Sequence, residues 1–133
     1  MKQVSLDYTE GFSCLAGSCP DTCCKDWEII LDEDAISRYR KMPGVLGEQV
    51  RAAMWRLENG HCALLREDGL CPIQCTYGEA ALCRTCRAHP RFYEEYGATR
   101  ELTLSASCPA AARSLLAHEA PLRPVELPVD APL

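Results

Sequence analysis

The residues of this 133-residue chain best suited to chemistry are its ten cysteines. They fall into three groups along the sequence: Cys14, Cys19, Cys23 and Cys24; Cys62, Cys71, Cys75, Cys83 and Cys86; and Cys108 alone. A chain kept in a reducing compartment uses so many thiols chiefly to hold metal, whereas a secreted chain uses them for disulfides. The chemistry of these side chains therefore depends on the compartment.

Several features of the sequence indicate the compartment of the protein and the partners that it lacks. Residues 1–12 contain two acidic side chains and no apolar run of the length that a signal peptide needs. No stretch approaches the roughly 18 consecutive apolar residues of a membrane span. The formal net charge is −5 and the basic residues do not cluster, which argues against a nucleic-acid surface. We therefore expect a soluble, cytoplasmic protein with no membrane or nucleic-acid partner.

The spacing of the central cysteines suits metal ligation. Cys83 and Cys86 are three residues apart, so one helical turn presents both sulfurs on one face. The segment 62–73 has Asp68-Gly69 at its centre, which predicts a hairpin that brings Cys62 near Cys71. Metals that take sulfur ligands need thiolates converging at about 2.3 Å, and paired spacings of this kind supply them.

The remaining cysteines differ in what their positions predict. Cys19 and Cys23 form a third spaced pair, and the adjacent Cys23 and Cys24 point in different directions, as ligands of different irons or different centres would. Cys108 precedes a proline that favours the first position of a helix, so it is an expected N-cap with a lowered thiol pKa. Cys75 has no partner at a productive spacing except Cys71, and it remains open as ligand or spare thiol.

The identity of the metal stays open at this stage. Two zinc sites would use eight thiolates, whereas one iron–sulfur cluster uses four. The Cys-x3-Cys-x2-Cys signature of radical S-adenosylmethionine chemistry is absent, because Asp26 stands where its third cysteine would be. The alternative to metal is that several thiols are buried small hydrophobic side chains. The density of the spaced pairs favours metal.

The pattern of the chain predicts a small, loop-rich α+β domain, predominantly helical, with a few short strands, whose thin core is reinforced by metal. This cysteine-rich metal-binding domain is expected over residues 1–119, followed by a proline-rich tail or linker at 120–133. Prolines, glycines and apolar spacing predict strands at 27–31 and 99–107, and helices at 33–41, 45–57, 78–87 and 109–118. The acidic run at 93–96 is expected to be a surface loop, and Trp27 and Phe92 to lie in the core or shield a cluster.

Three motifs resemble those of a known family. They are Asp21-Thr22-Cys23-Cys24 followed by Trp27, Leu82-Cys83 with Cys86 and Pro90-Arg91, and Ser107-Cys108-Pro109. In this order, over residues 8 to 116, they resemble the N-terminal region of bacterial flagellin lysine N-methylases. More loosely, the chain is similar to a cysteine-rich family that chelates zinc or iron.

The resemblance implies transfer of methyl groups from S-adenosylmethionine to lysine side chains of flagellin, by a protein that contains an iron–sulfur cluster, with zinc as the alternative. It also implies a set of metal ligands: Cys14, Cys19, Cys23, Cys24, Cys62, Cys71, Cys83, Cys86 and Cys108. Members of that family are longer, so the methyl-donor site is expected in a C-terminal partner region. A second hypothesis stays open, namely a noncatalytic metal-binding domain that is structural or transfers electrons.

Overall fold

The computed structural model describes residues 1–54 and 57–129. In chain order, its helices and strands are β1 (Lys2–Leu6), α1 (Glu33–Arg40), α2 (Gly44–Ala53), β2 (Leu57–Glu58), β3 (His61–Cys62), α3 (Pro72–Tyr77), α4 (Arg84–Ala88), β4 (Arg91–Tyr96), β5 (Thr99–Leu104), α5 (Pro109–Leu116) and β6 (Pro124–Leu127). The chain divides into two compact units. One is Asp21–Arg87, and the other combines the residues before 21 with those after 87. The α+β class predicted from the sequence is confirmed.

The unit that contains both termini is built on a mixed four-stranded sheet with the order β4-β5-β1-β6. Strand β1 runs parallel to β5, with Val4 opposite Glu101, and antiparallel to β6. The hydroxyl of Ser5 is buried and donates to the carbonyl of Leu102 at 2.8 Å, while it also shares a hydrogen bond with Thr9. These bonds satisfy polar groups that would otherwise be costly to bury beneath the sheet.

Three predictions for this unit differ from the structure. The acidic run at 93–96 is part of β4 and not a loop, and Phe92 on the same strand is 53% exposed and lies outside the core. Strand β4 is at the edge of the sheet, where outward-facing side chains meet solvent. The sequence predicts a tail or linker over 120–133, yet Pro124–Leu127 pairs with β1 as a strand. Residues 130–133 lie outside the described ranges.

Local signals at two helices and one strand are confirmed. Asp32 is the N-cap of α1, and its carboxylate accepts a hydrogen bond from the backbone N–H of Ala35 at 3.1 Å. Cys108 is the N-cap of α5, and Pro109 occupies the first turn of that helix. Strand β5 covers most of the predicted segment 99–107 and ends at Leu104.

The Asp21–Arg87 unit has a small apolar core between its helices. Its buried side chains include Ala35, Tyr39, Val50 and Ile73. Gly47 allows the first turn of α2 to lie against the preceding loop, because an ideal Cβ at this position would overlap the backbone carbonyl of Met42. This close approach joins α1 and α2, which supply much of the core.

Four predictions for this unit are wrong in their boundaries or type. Residues 27–31 form no strand, although Ile29 and Leu31 pack against the core. Helix α2 ends at Ala53 and not at 57, and residues 55–56 lie outside the described ranges. The segment 62–73 keeps a turn closed by Arg66 and Leu70, but α3 follows instead of a second strand. The predicted helix 78–87 is a short 3-10 turn at Glu79–Ala81 followed by α4.

Among the residues that the structure describes, no helix has the length and apolar character needed to cross a membrane.

Candidate functional site

An apolar cavity in the Asp21–Arg87 unit collects half of the thiols in the chain. Its volume is about 260 Å³. The cysteines in its wall come from four separate places in the sequence, because the last two share one segment: Cys24, Cys62, Cys71, Cys83 and Cys86. The rest of the wall consists mainly of core side chains, such as Tyr39, Val50 and Ile73. The cavity therefore places soft sulfur donors in surroundings with few competing polar groups.

Helix α4 is held in place by the chain segment that precedes α1. The carboxylate of Asp32 accepts a hydrogen bond from the backbone N–H of Arg84 at 2.7 Å, in addition to capping α1. The hydroxyl of Thr85 donates to the carbonyl of Ile30 at 2.9 Å. These two bonds fix the first turn of the helix that follows Cys83 and carries Cys86.

Helix α1 also fixes the segment that leads into Cys83. The guanidinium of Arg38 donates to the carbonyls of Ala81 at 3.0 Å and Leu82 at 3.3 Å. The phenol of Tyr39 donates to the carbonyl of Ala81 at 3.2 Å. Cys83 is consequently held between two anchored segments, and only 1% of its surface is exposed.

Backbone pairing positions the other cysteines of the cavity wall. The N–H of Cys62 donates to the carbonyl of Cys24 at 2.7 Å, next to an isolated β-bridge between Lys25 and His61. Cys71 is the N-cap of α3, and its carbonyl accepts the first helical hydrogen bond, from Cys75. Cys62 and Cys71 line the same cavity, as the predicted hairpin required, although a helix and not a strand follows Cys71.

Two pairs of cysteines share hydrogen bonds that separate their pKa values. The Cys24 thiol donates to Cys23, which lowers the pKa of Cys23 to about 6 and raises the pKa of Cys24. The Cys86 thiol likewise lowers the pKa of Cys83 to about 7, and its own pKa is raised. Burial raises the pKa of Cys71. Without metal, Cys23 and Cys83 are therefore the members of each pair that lose their protons first, while Cys24 and Cys86 stay thiols.

The structure gathers five of the nine predicted ligands around one cavity and leaves four elsewhere. Cys23 is hydrogen-bonded to Cys24, but it is exposed and does not line the cavity. Cys14, Cys19 and Cys108 belong to the other unit. Cys75 is exposed on α3 and is absent from the cavity wall. All ten cysteines are free thiols. The assignment of individual ligands stays a prediction.

The donor set of the cavity fits a sulfur-ligated centre by its chemistry. Thiolates are the ligands that structural zinc and iron–sulfur clusters prefer, and Cys83 carries a lowered pKa. Across residues 1–54 and 57–129, no group of three or more histidine, cysteine, aspartate or glutamate side chains is arranged to hold a metal ion. The thiol donors nevertheless lie on the wall of one cavity.

The contacts that position these thiols could not be predicted from the sequence. Asp32 was identifiable as the cap of α1 from its place before an amphipathic helix, but its second bond joins residues 52 positions apart. Arg38 and Tyr39 act through backbone carbonyls more than 40 positions away. No local pattern could have indicated those contacts, because backbone carbonyls carry no sequence signature.

Comparison with known proteins gives three informative similarities. The chain is 28% identical, over 87% of its length, to flagellar biosynthetic protein FliU of Salmonella muenchen, of which the match covers 79%. It is also 28% identical, over the same share, to proteins named lysine-N-methylase from Salmonella typhimurium and Salmonella choleraesuis. The match covers 33% of each methylase, so the chain spans about a third of their length. No family model and no solved structure matches.

Proposed function

From the similarity of this chain to proteins named lysine-N-methylase, we propose that it is the cysteine-bearing part of a protein that methylates lysine side chains. By this proposal its thiols hold an iron–sulfur cluster, with zinc as the alternative, and the methyl donor is S-adenosylmethionine. The acceptor is flagellin, since the similar proteins include one named for flagellar biosynthesis.

The observation that carries the proposal is the convergence of five thiols on one apolar cavity. Cys24, Cys62, Cys71 and the Cys83/Cys86 pair come from four separate segments, and a metal centre would tie those segments together. The buried core around them is small, so a centre held by these residues would contribute directly to folding. The remaining four, Cys14, Cys19, Cys23 and Cys108, stay predicted ligands outside the cavity wall.

The residues of this chain have definite tasks under the proposal. Asp32, Arg38 and Tyr39 keep Cys83 in place through backbone contacts. An iron–sulfur centre supplies electron transfer or structural support when bound. Methyl transfer additionally requires a lysine that has lost its proton, from a pKa near 10.4, held in line with the sulfonium donor.

The metal part of the proposal is tested by anaerobic purification with metal analysis and an absorption spectrum. We expect iron, acid-labile sulfide and a broad brown absorbance that bleaches in air. A colourless protein containing zinc would support the alternative metal on the same thiols. A protein purified anaerobically that binds neither metal, even after reconstitution, would overturn the metal centre.

The activity is tested separately, by following labelled methyl groups from S-adenosylmethionine into flagellin lysines. Incorporation by the metal-loaded chain, lost in Cys83→Ala and retained in Cys75→Ala, would support a methylase. The second candidate is a noncatalytic metal-binding domain, structural or electron-transferring. It is favoured by the fact that all five cavity thiols come from one unit of this chain. Stoichiometric metal without methyl transfer, with or without a C-terminal partner region, would support that candidate.

A further inference from the structure

A second crevice in the Asp21–Arg87 unit is lined by charged side chains and not by thiols. Its volume is about 300 Å³. The charged residues of its wall come from the start and middle of α1 and from α4: Asp32, Asp34, Arg38, Arg84 and Arg87. The proposed metal centre uses thiols as its ligands and does not involve these charged groups. Three cations and two carboxylates give this wall an excess of one positive charge, in a chain whose net charge is −5.

The arginines of the crevice are not neutralised by the carboxylates beside them. Within the described ranges, none of the three has a carboxylate oxygen within 4.0 Å. Asp32 directs its two oxygens to the backbone N–H groups of Ala35 and Arg84. Both oxygens of Asp32 are therefore already occupied by backbone donors, and the wall keeps its excess of one positive charge.

Two of the arginines have hydrogen-bonding capacity in reserve. Arg38 is anchored by bonds to the carbonyls of Ala80, Ala81 and Leu82, which leaves two of the five N–H donors of its guanidinium. The Nε of Arg87 is buried and finds no acceptor among the residues described. A buried donor without an acceptor is costly, so native structures usually supply a partner for such a group.

We propose that this crevice binds an oxyanion group, carboxylate or phosphate, through Arg38, Arg84 and Arg87. Guanidinium groups match both anions because their N–H donors form parallel pairs of hydrogen bonds. Arg84 and Arg87 lie three positions apart on α4 and so project from neighbouring positions of one face, while the guanidinium of Arg38 is anchored to the segment that precedes α4. The negative charge of Asp34 repels a bound anion, so its removal should strengthen anion binding.

The experiment is a calorimetric titration of the purified chain, with inorganic phosphate in one arm and succinate in the other. Sodium chloride holds the ionic strength constant, since exposed charges are screened by salt. We expect saturable binding with a dissociation constant of about 1 mM or tighter in at least one arm. Saturation by phosphate alone identifies a phosphoryl ligand, saturation by succinate alone identifies a carboxylate ligand, and both support a general oxyanion site.

Variants test the assignment of the residues. Arg84→Gln and Arg87→Gln should each weaken binding about tenfold, and Asp34→Asn should strengthen it severalfold, because the local charge moves in opposite directions. Arg113→Gln, an exposed arginine in the other unit, is the matched control and should bind like the wild type. Melting temperatures confirm folding of each variant. Absence of saturation by about 10 mM of both anions, or an equal loss in Arg113→Gln, would overturn the proposal.

Discussion

The double role of Asp32 allows a quantitative prediction about how the thiol cavity is held together. Replacing Asp32 with alanine removes the cap of α1 and the acceptor for the N–H of Arg84 at the start of α4. Loss of an N-cap costs about 1 kcal/mol. The second bond involves a charged acceptor, but the carboxylate is partly exposed, so its loss adds only about 1 kcal/mol. The total expected loss is about 2 kcal/mol.

Urea and thermal unfolding at neutral pH measure this loss, with metal content matched between variants. For a chain of this size, about 2 kcal/mol lowers the melting temperature by roughly 6–8 °C. Asp32→Asn keeps one acceptor oxygen and should lose about half as much. Asp34→Ala, two residues further along, is the control and should change stability by no more than about 0.5 kcal/mol.

The pH dependence gives the same prediction an independent test. The N–H groups of Arg84 and Ala35 hold the pKa of Asp32 below its ordinary value of 3.8. A carboxylate with a lowered folded pKa stabilises above its unfolded pKa and loses this contribution as the pH falls through the folded pKa. The difference between wild type and Asp32→Asn should therefore be constant above about pH 5 and shrink below about pH 4. Equal stability of Asp32→Ala and Asp34→Ala would refute the double role of Asp32. A stability difference between wild type and Asp32→Asn that does not shrink at low pH would refute it as well.

Three further predictions concern the cavity and the core beneath it. Cys83→Ala should reduce bound metal and lower the melting temperature, whereas Cys75→Ala, which lies outside the cavity wall, should leave both near wild type. Gly47→Ala should destabilise the protein by about 1–3 kcal/mol in urea unfolding, because the added methyl group overlaps a backbone carbonyl. In reduced, metal-free protein, the alkylation of Cys23 by iodoacetamide should rise with pH around a midpoint of about 6, and Cys24→Ala should move that midpoint upwards.

Each of these has a result that would contradict it. Equal metal content in the two cysteine variants would remove Cys83 from the centre. Gly17→Ala is the control for the glycine, because a Cβ at that position meets nothing within 4 Å, and equal stability of the two alanine variants would refute the close approach at α2. An unchanged alkylation midpoint without the neighbouring thiol would show that the hydrogen bond from Cys24 does not set the acidity of Cys23.

Features that depend on neighbouring residues and on composition could be predicted without the structure. The cap at Asp32, the Cys108-Pro109 start of α5 and the alternation along β5 were predicted because each is a local signal, complete within a few residues. The similarity to proteins named lysine-N-methylase was also visible in the order of the cysteine motifs. The type of side chain available for chemistry, thiols in abundance, needed no structure at all.

Which thiols meet, and which residues hold them, depends on tertiary packing. Whether residues 27–31 pair as a strand depends on finding a partner in register, and they pack by side chains instead. Strand β6 forms because β1 offers an unpaired edge, although its own sequence is rich in proline. The grouping of five cysteines on one wall, like the bond between Asp32 and Arg84, joins residues far apart in the chain. Such contacts depend on how the whole unit packs, and a pattern of spacings along the sequence cannot specify them.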